Sequence, residues 1–300
     1  MKREQTAAAT TTTTTTTTKD VFARLVQWFS DNNNNNNSNS RGDKKRGAIV
    51  ALSGGVDSAV VALAAKKALG QDAVAVTADY KTLAEEELAT ARRVAQEIGI
   101  RHLVIEYDEL ENPDFVKNDG TRCYHCRTEL GQHLVQEAQK LGGIGLIVDG
   151  TNLDDLSDYR PGIRALRENG VRSPMAELGI AKKQVRAIAK EHGLSVYDKP
   201  SNACLASRIP AGMEVTYEKL RRIESSEIAV KSIFGVRQVR VRDHGDVARV
   251  EVGKDELERM FDAAKLALLD KKLKELGFAF VAVDAGGYRQ GKLAVVGGDQ

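Results

Sequence analysis

From residue 47 onward, short apolar runs alternate with stretches of helical period. GAIVAL (47–52), AVAVTADY (73–80), HLVIEYDE (102–109) and IGLIVDGT (144–151) read as strands. SAVVALAAKKALG (58–70), LAEEELATARRVAQEIG (83–99), CRTELGQHLVQEAQKLG (126–142) and KKQVRAIAKEHG (182–193) repeat their apolar residues every three to four positions and each closes on glycine. This alternation predicts an α/β fold, a parallel sheet covered by helices on both faces. Beyond about Pro210 the order changes. A helix (216–234), a hairpin (236–252) turning at His244–Gly245–Asp246, a second helix (255–277) and a last strand (278–288) predict a small α+β domain.

Ahead of the first strand, KDVFARLVQWFSD (19–31) places Val21, Phe22, Leu25, Val26 and Phe29 on one helical face. A threonine run (10–18) and an asparagine run (32–37) flank it, and neither composition can bury a core. The expected organisation is a disordered tail over 1–18, an α/β domain over 19–208 with an Asn-rich loop at 31–46, and an α+β domain over 209–300.

A formal charge of +2 gives no support for a large nucleic-acid footprint. No apolar run approaches the ~18–20 residues of a membrane span. MKREQTAAATTTTT lacks the apolar stretch of a secretory signal, so a cytoplasmic protein is expected. The three cysteines, an odd number, argue for metal or catalytic work rather than a disulfide framework.

Ser53–Gly54–Gly55–Val56–Asp57–Ser58 ends the first strand and opens the first helix. Two glycines permit a tight turn and close approach to an anion, and the helix N-terminus offers unpaired N–H groups. Ser53 and Ser58 add hydroxyls, and Asp57 can hold a phosphate-bound Mg²⁺. The loop is neither a Walker A nor a Rossmann fingerprint. It resembles the SGGxDS signature of the PP-loop pyrophosphatases, and the resemblance implies ATP cleaved to AMP and pyrophosphate. Asp149–Gly150–Thr151–Asn152–Leu153–Asp154–Asp155 follows the fourth strand, where ligands of a parallel sheet gather. The same resemblance places Gly150, Thr151 and Asp155 near the phosphates and metal.

Cys123 and Cys126 form a CxxC at the entry to a helix, and Cys204 lies far downstream in SNACLASR. Three thiolates suit zinc, a redox pair with a buried third cysteine, or a [4Fe–4S] cluster with one open iron, and the count favours the cluster. Arg240 and Arg242 alternate along a strand and so share a face, and Arg208 follows Cys204 closely. Guanidinium groups suit anionic substrates.

SGGVDS, RCYHC, DGTNLDDLSDYRPG, RSPMAELG, DKPSNACLASRIP and VRVRDHGDVARVEV together are similar to the LarE family, over about residues 19–290. These are ATP-dependent sulfur transferases of nickel-pincer cofactor biosynthesis. The resemblance implies adenylylation of a carboxylate of a pyridinium dicarboxylate mononucleotide, then displacement of AMP by sulfur to leave a thiocarboxylate. It implies the type in which Cys123, Cys126 and Cys204 carry the cluster and its transferable sulfide, rather than one that sacrifices its own Cys204 sulfur. It places phosphate-binding arginines at Arg240 and Arg242. Arg208, Arg289, His125, Arg160 and Arg164 are further substrate candidates, and Asp155 and Glu227 are candidates to hold metal or orient substrate. A sulfide donor, a downstream nickel-insertion protein and self-association are the implied partners. Rival readings are a tRNA thiolation enzyme, an ammonia-using amide synthetase and a non-catalytic iron or redox sensor.

Overall fold

Three of the four strands of the N-terminal sheet are buried on both faces and so read as unbroken apolar runs, while the edge strand over 101–106 is only half-buried. The computed structural model describes residues 17–35, 46–142, 144–157 and 161–289. β1 (Ala48–Ala51), β2 (Ala73–Asp79), β3 (Arg101–Glu106) and β4 (Leu146–Val148) form a parallel sheet in the order β3-β2-β1-β4. On one face Ala48, Val50, Ala73, Ala75, Leu146 and Val148 pack with α1 (Thr18–Asn35), α2 (Val56–Leu69), α3 (Glu85–Ile98) and α8 (Lys182–Glu191). On the other, Ile49, Val74, Val76 and Ile147 meet Leu130, Leu134 and Ala138 of α5 (Arg122–Lys140) and Leu166 of α6 (Pro161–Glu168). α2 lies deepest, and its alanines and valines from Ala59 to Ala65 leave room for α1 and α8 to close over it.

Short helices α4 (Pro113–Val116) and α7 (Pro174–Glu177) punctuate the connections, each opened by a proline that needs no N–H partner. Helix α9 (Tyr217–Phe234) and helix α10 (Ala263–Glu275) then pack on a second sheet of β5 (Val239–Asp243), β6 (Val247–Val252) and β7 (Phe280–Val283). β5 and β6 form the expected antiparallel hairpin, while β7 runs parallel to β6.

Several elements depart from the sequence reading. The asparagine run does not begin a loop at residue 32, because α1 continues to Asn35. Asn32 bonds back to the Trp28 carbonyl within the helix at 2.7 Å, and tertiary partners hold the turn: Asn32 accepts from Arg172, and Asn33 accepts from the Gly47 amide at 2.9 Å. At its other end Thr17 caps the helix reciprocally with Asp20. The rest of the asparagine run, residues 1–16 and Arg160 lie outside the described residues. The expected helix over 255–277 is broken at Asp262, whose carboxylate accepts the Lys265 amide and starts α10 afresh. α5 begins four residues earlier than expected, at Arg122, which puts both CxxC thiols inside it. α6 carried no expectation. Among the described residues, no helix is long and apolar enough to cross a membrane.

Candidate functional site

The phosphate loop is held open by its own hydroxyls and by backbone that only glycine fits. Gly54 sits at φ +76°, and a Cβ there would lie 2.7 Å from the Glu87 carbonyl oxygen. The Ser53 amide donates to Ser58 Oγ at 3.2 Å, and Ser58 Oγ donates to the Gly55 carbonyl at 3.1 Å. Gly150 brings the loop after β4 against α2, since a Cβ on it would lie 2.6 Å from the Ser58 nitrogen. That approach places Asn152 beside Asp57: Asn152 Nδ2 donates to Asp57 Oδ1 at 3.2 Å, and Lys182 pairs with Oδ2. Asp149 organises the same loop by accepting from the Thr151 amide and hydroxyl, at 3.1 and 2.7 Å, and Asp155 accepts from the Asn152 amide at 3.1 Å. The two acidic segments singled out in the sequence therefore meet at the carboxyl ends of adjacent strands β1 and β4.

The Cys204 segment docks on this loop. Lys199 Nζ donates to the Gly54 carbonyl at 3.2 Å and to Glu87 at 2.8 Å, and Asn202 donates to Glu87 at 2.7 Å. Two residues on, Cys204 opens a 3₁₀ turn (Leu205–Arg208) and packs with Cys126 against the apolar cluster of Phe115, Leu205, Ile209 and Leu220. Cys123 and Cys126 occupy one face of the first turns of α5 at i, i+3 spacing. The three thiols share one electrostatic neighbourhood. Burial pushes the Cys126 and Cys204 thiols up, Cys204 adds to the effect on Cys126, and the Arg122 guanidinium is coupled to all three. Glu109 is fully buried, accepts from Thr82 Oγ1 at 2.7 Å and keeps Oε1 without a partner. Its carboxyl is pushed up to about 7, chiefly by burial.

Among the described residues, no group of three or more His, Cys, Asp and Glu side chains is gathered tightly enough to hold a single metal ion. Three cysteine thiols are the soft donors that an iron–sulfur cluster takes. Its thiolates bind different irons and stand further apart than the ligands of one ion.

The arginines point inward rather than to solvent. Arg240 and Arg242 share a face, as their alternation implies, and both are buried. Arg242 pairs with Glu251 at 2.9 Å and donates to the Ser207 carbonyl at 2.9 Å. Arg240 donates to the Val239 and Ser201 carbonyls at 2.6 and 2.5 Å and lies over the Tyr288 ring. Among the described residues it faces no carboxylate at hydrogen-bond distance, and burial lowers its pKa to about 10. A cavity of about 370 Å³ opens beside it, lined by Glu87, Lys199, Asn202, Glu227, Arg237 and Arg240.

Arg208 is fully buried and committed to protein acceptors: Glu227 through two bonds of 2.8 and 3.0 Å, Asn202, and the carbonyls of Ala203 and Cys204. It thereby fixes the carbonyl of Cys204. Removing it would leave Glu227 buried without its charge partner. Arg208→Ala is therefore expected to cost about 3–5 kcal/mol, read as a shift in the urea unfolding midpoint.

The remaining candidates are peripheral. His125 stands 3.9 Å from Asp114, Arg164 pairs with Glu168 at 2.9 Å, and Arg289 is exposed with its guanidinium beside Gly286.

Sequence reasoning missed Lys182, Asn152, Lys199, Glu109 and Arg122. Arg122 lay inside the quoted RCYHC segment. Lys182 carried no signal, because its tie to Asp57 exists only once β4 lies beside β1.

The family of queuosine biosynthesis protein QueC matches residues 47–119, the segment from β1 through α4 that contains the phosphate loop. An uncharacterized protein of Synechocystis sp. is 44% identical over 82% of this chain and 91% of its own length. The pyridinium-3,5-bisthiocarboxylic acid mononucleotide synthase of Lactiplantibacillus plantarum is 32% identical over 81% of this chain and 87% of its own. The tRNA-specific 2-thiouridylase MnmA of Rickettsia africae is more distant, 24% identical over 71% of this chain and 67% of its own. On the match to the Lactiplantibacillus synthase, joined to a parallel sheet with the PP-loop at its carboxyl edge, this chain belongs to the LarE family of pyridinium-3,5-bisthiocarboxylic acid mononucleotide synthases.

Proposed function

We propose that this protein is an ATP-dependent sulfurtransferase. It adenylylates a carboxylate of pyridinium-3,5-biscarboxylate mononucleotide and converts it to a thiocarboxylate for nickel-pincer cofactor synthesis. The observation that carries the reading is the segment from Lys199 to Arg208. One end touches Gly54 of the phosphate loop and the other carries Cys204, so activation and sulfur chemistry share one site.

A bare carboxylate resists nucleophiles, and transfer of AMP supplies a leaving group. Carboxylate oxygen attacks the α-phosphorus of ATP, pyrophosphate departs, and sulfur then adds to the acyl carbon as the bond to AMP breaks. Ser53, Gly54, Gly55 and Ser58 cradle the leaving pyrophosphate with backbone N–H groups and hydroxyls. Asp57 and Asp155 would hold Mg²⁺, which when bound supplies positive charge to the phosphates, with Gly150 and Thr151 closing the far wall. Lys182 pairs with Asp57 and balances its charge. Arg240 and Arg242 receive the mononucleotide phosphate. Arg208 acts on this site through the Cys204 backbone, and Arg289 and His125 contribute from its rim.

Cys123, Cys126 and Cys204 would hold the [4Fe–4S] cluster, which when bound supplies the transferable sulfide. The same proposal includes a cytoplasmic location, the division near residue 208, a sulfide donor, a nickel-inserting partner downstream and a homo-oligomer.

The deciding experiment incubates anaerobically reconstituted protein with ATP, Mg²⁺, sulfide and the biscarboxylate mononucleotide, then analyses products by mass spectrometry. Equal AMP and pyrophosphate with a thiocarboxylate product is the expected result. Pyrophosphate release that requires tRNA instead of the mononucleotide would overturn it in favour of the thiouridylase reading.

A further inference from the structure

We infer that Asn118 and Arg122 form a positioning node that holds the CxxC helix and the Cys204 turn in register for sulfur transfer. The inference rests on the three-thiol reading above.

Arg122 immediately precedes Cys123, yet its guanidinium serves the other segment. Nη1 donates to the Ala206 carbonyl at 2.8 Å, two residues past Cys204, and to Asn118 Oδ1. Nη2 lies 3.9 Å from Cys123 Sγ. One planar group thus touches a thiol of the first segment and the backbone of the second, a reach that the fork of arginine has and lysine lacks.

Asn118 completes the link. It is buried, 1% exposed, and sits at φ +55°, a left-handed conformation in which asparagine is enriched over other non-glycine residues. Its Nδ2 donates to the carbonyls of Pro210 at 2.8 Å and Met213 at 2.7 Å, and its own carbonyl accepts from the Gly212 amide at 2.9 Å. The chain just ahead of α5 is therefore stitched to residues 206–213 by one amide and one guanidinium. A backbone conformation of this kind persists where surrounding contacts over-determine it.

One further observation separates the node from ordinary packing: Arg122 Nε is buried without a hydrogen-bond partner, so the side chain keeps one donor unspent.

The test compares full-length wild type with Arg122→Met, Arg122→Lys and Asn118→Asp. Three readouts apply: iron and acid-labile sulfide per chain after anaerobic reconstitution, with the absorbance and paramagnetic spectra of the reduced protein; pyrophosphate release; and thiocarboxylate formation. Misplacement of reacting groups by about 1 Å can cost about a hundredfold, so Arg122→Met should lose thiocarboxylate formation on that scale. It should also lose cluster loading and its spectra, while pyrophosphate release and the KM for ATP hold. Arg122→Lys keeps the charge without the two-point reach and should remain defective. Asn118→Asp keeps the acceptor for Arg122, loses the donor to Pro210 and Met213, and should show the same signature more weakly. If Arg122→Met does not fold, the Lys and Asp variants carry the test.

Normal loading and transfer in these variants beside a normally loaded wild type would overturn the node alone. Full rescue by lysine would overturn it too, by showing that charge suffices. A wild-type protein that takes up no iron would overturn the three-thiol reading and the node with it.

Discussion

Asp57→Ala is expected to abolish pyrophosphate release while leaving the fold intact. Asp57 is the point where three separated segments converge, from the first turn of α2, the loop after β4 through Asn152, and the start of α8 through Lys182. Its carboxylate is partly exposed, at 24%, and so is the lysine, at 30%. Ion pairs at that exposure are worth about 0–1 kcal/mol, so the thermal midpoint should barely move. The catalytic loss belongs to another scale. Removing one group that stabilises charge developing in a transition state typically costs about 10²–10³-fold, and a carboxylate that also places the metal should exceed that. Pyrophosphate release assayed beside the melting midpoint separates the two effects. Release at the wild-type rate would remove Asp57 from the site. Loss of both rate and fold would make it a structural tie between β1 and β4.

That convergence marks how far the residues could be read. The phosphate loop was legible because its demands are local: glycine where the backbone enters φ > 0 against the Glu87 carbonyl, and hydroxyls that bond back within five residues. The parallel sheet was legible for the same reason, since strands buried on both faces leave continuous apolar runs. What escaped was set by distant partners. The chemistry of Arg208 suggests an anion ligand, yet only the fold shows Glu227 lying opposite it. Arg240 and Arg242 were placed on one face by their spacing, but spacing does not say that the face is inside. α1 reaches Asn35 against the composition of its last turn, because Arg172 and Gly47 supply bonds that no propensity scale contains. Lys182 and Asn118 are the sharper cases. Each looks ordinary in sequence and becomes informative only through carbonyls and carboxylates contributed from elsewhere in the chain.

Cys204→Ala should stop thiocarboxylate formation and leave adenylylation running, which locates the thiol after AMP transfer rather than before it. Its side chain packs beside Phe115 and Leu205, and trimming one sulfur there costs roughly 1 kcal/mol, too little to unfold the protein. The loss of transfer should exceed about a thousandfold, because no neighbouring group can take over. Cys123 and Cys126 both sit on α5 and cannot replace a ligand contributed by a separate segment. In the cluster reading the thiol is a ligand rather than a free nucleophile. Burial raises its pKa, so little thiolate is present at neutral pH, whereas coordination deprotonates a thiol outright. Wild-type protein should therefore turn over repeatedly with the mass of Cys204 unchanged, and Cys204→Ala should release pyrophosphate and accumulate the acyl-adenylate. A wild type that stops after one turnover, its Cys204 lighter by the elements of hydrogen sulfide, would assign the sulfur to the cysteine itself. Normal thiocarboxylate formation by the variant would take Cys204 out of the mechanism.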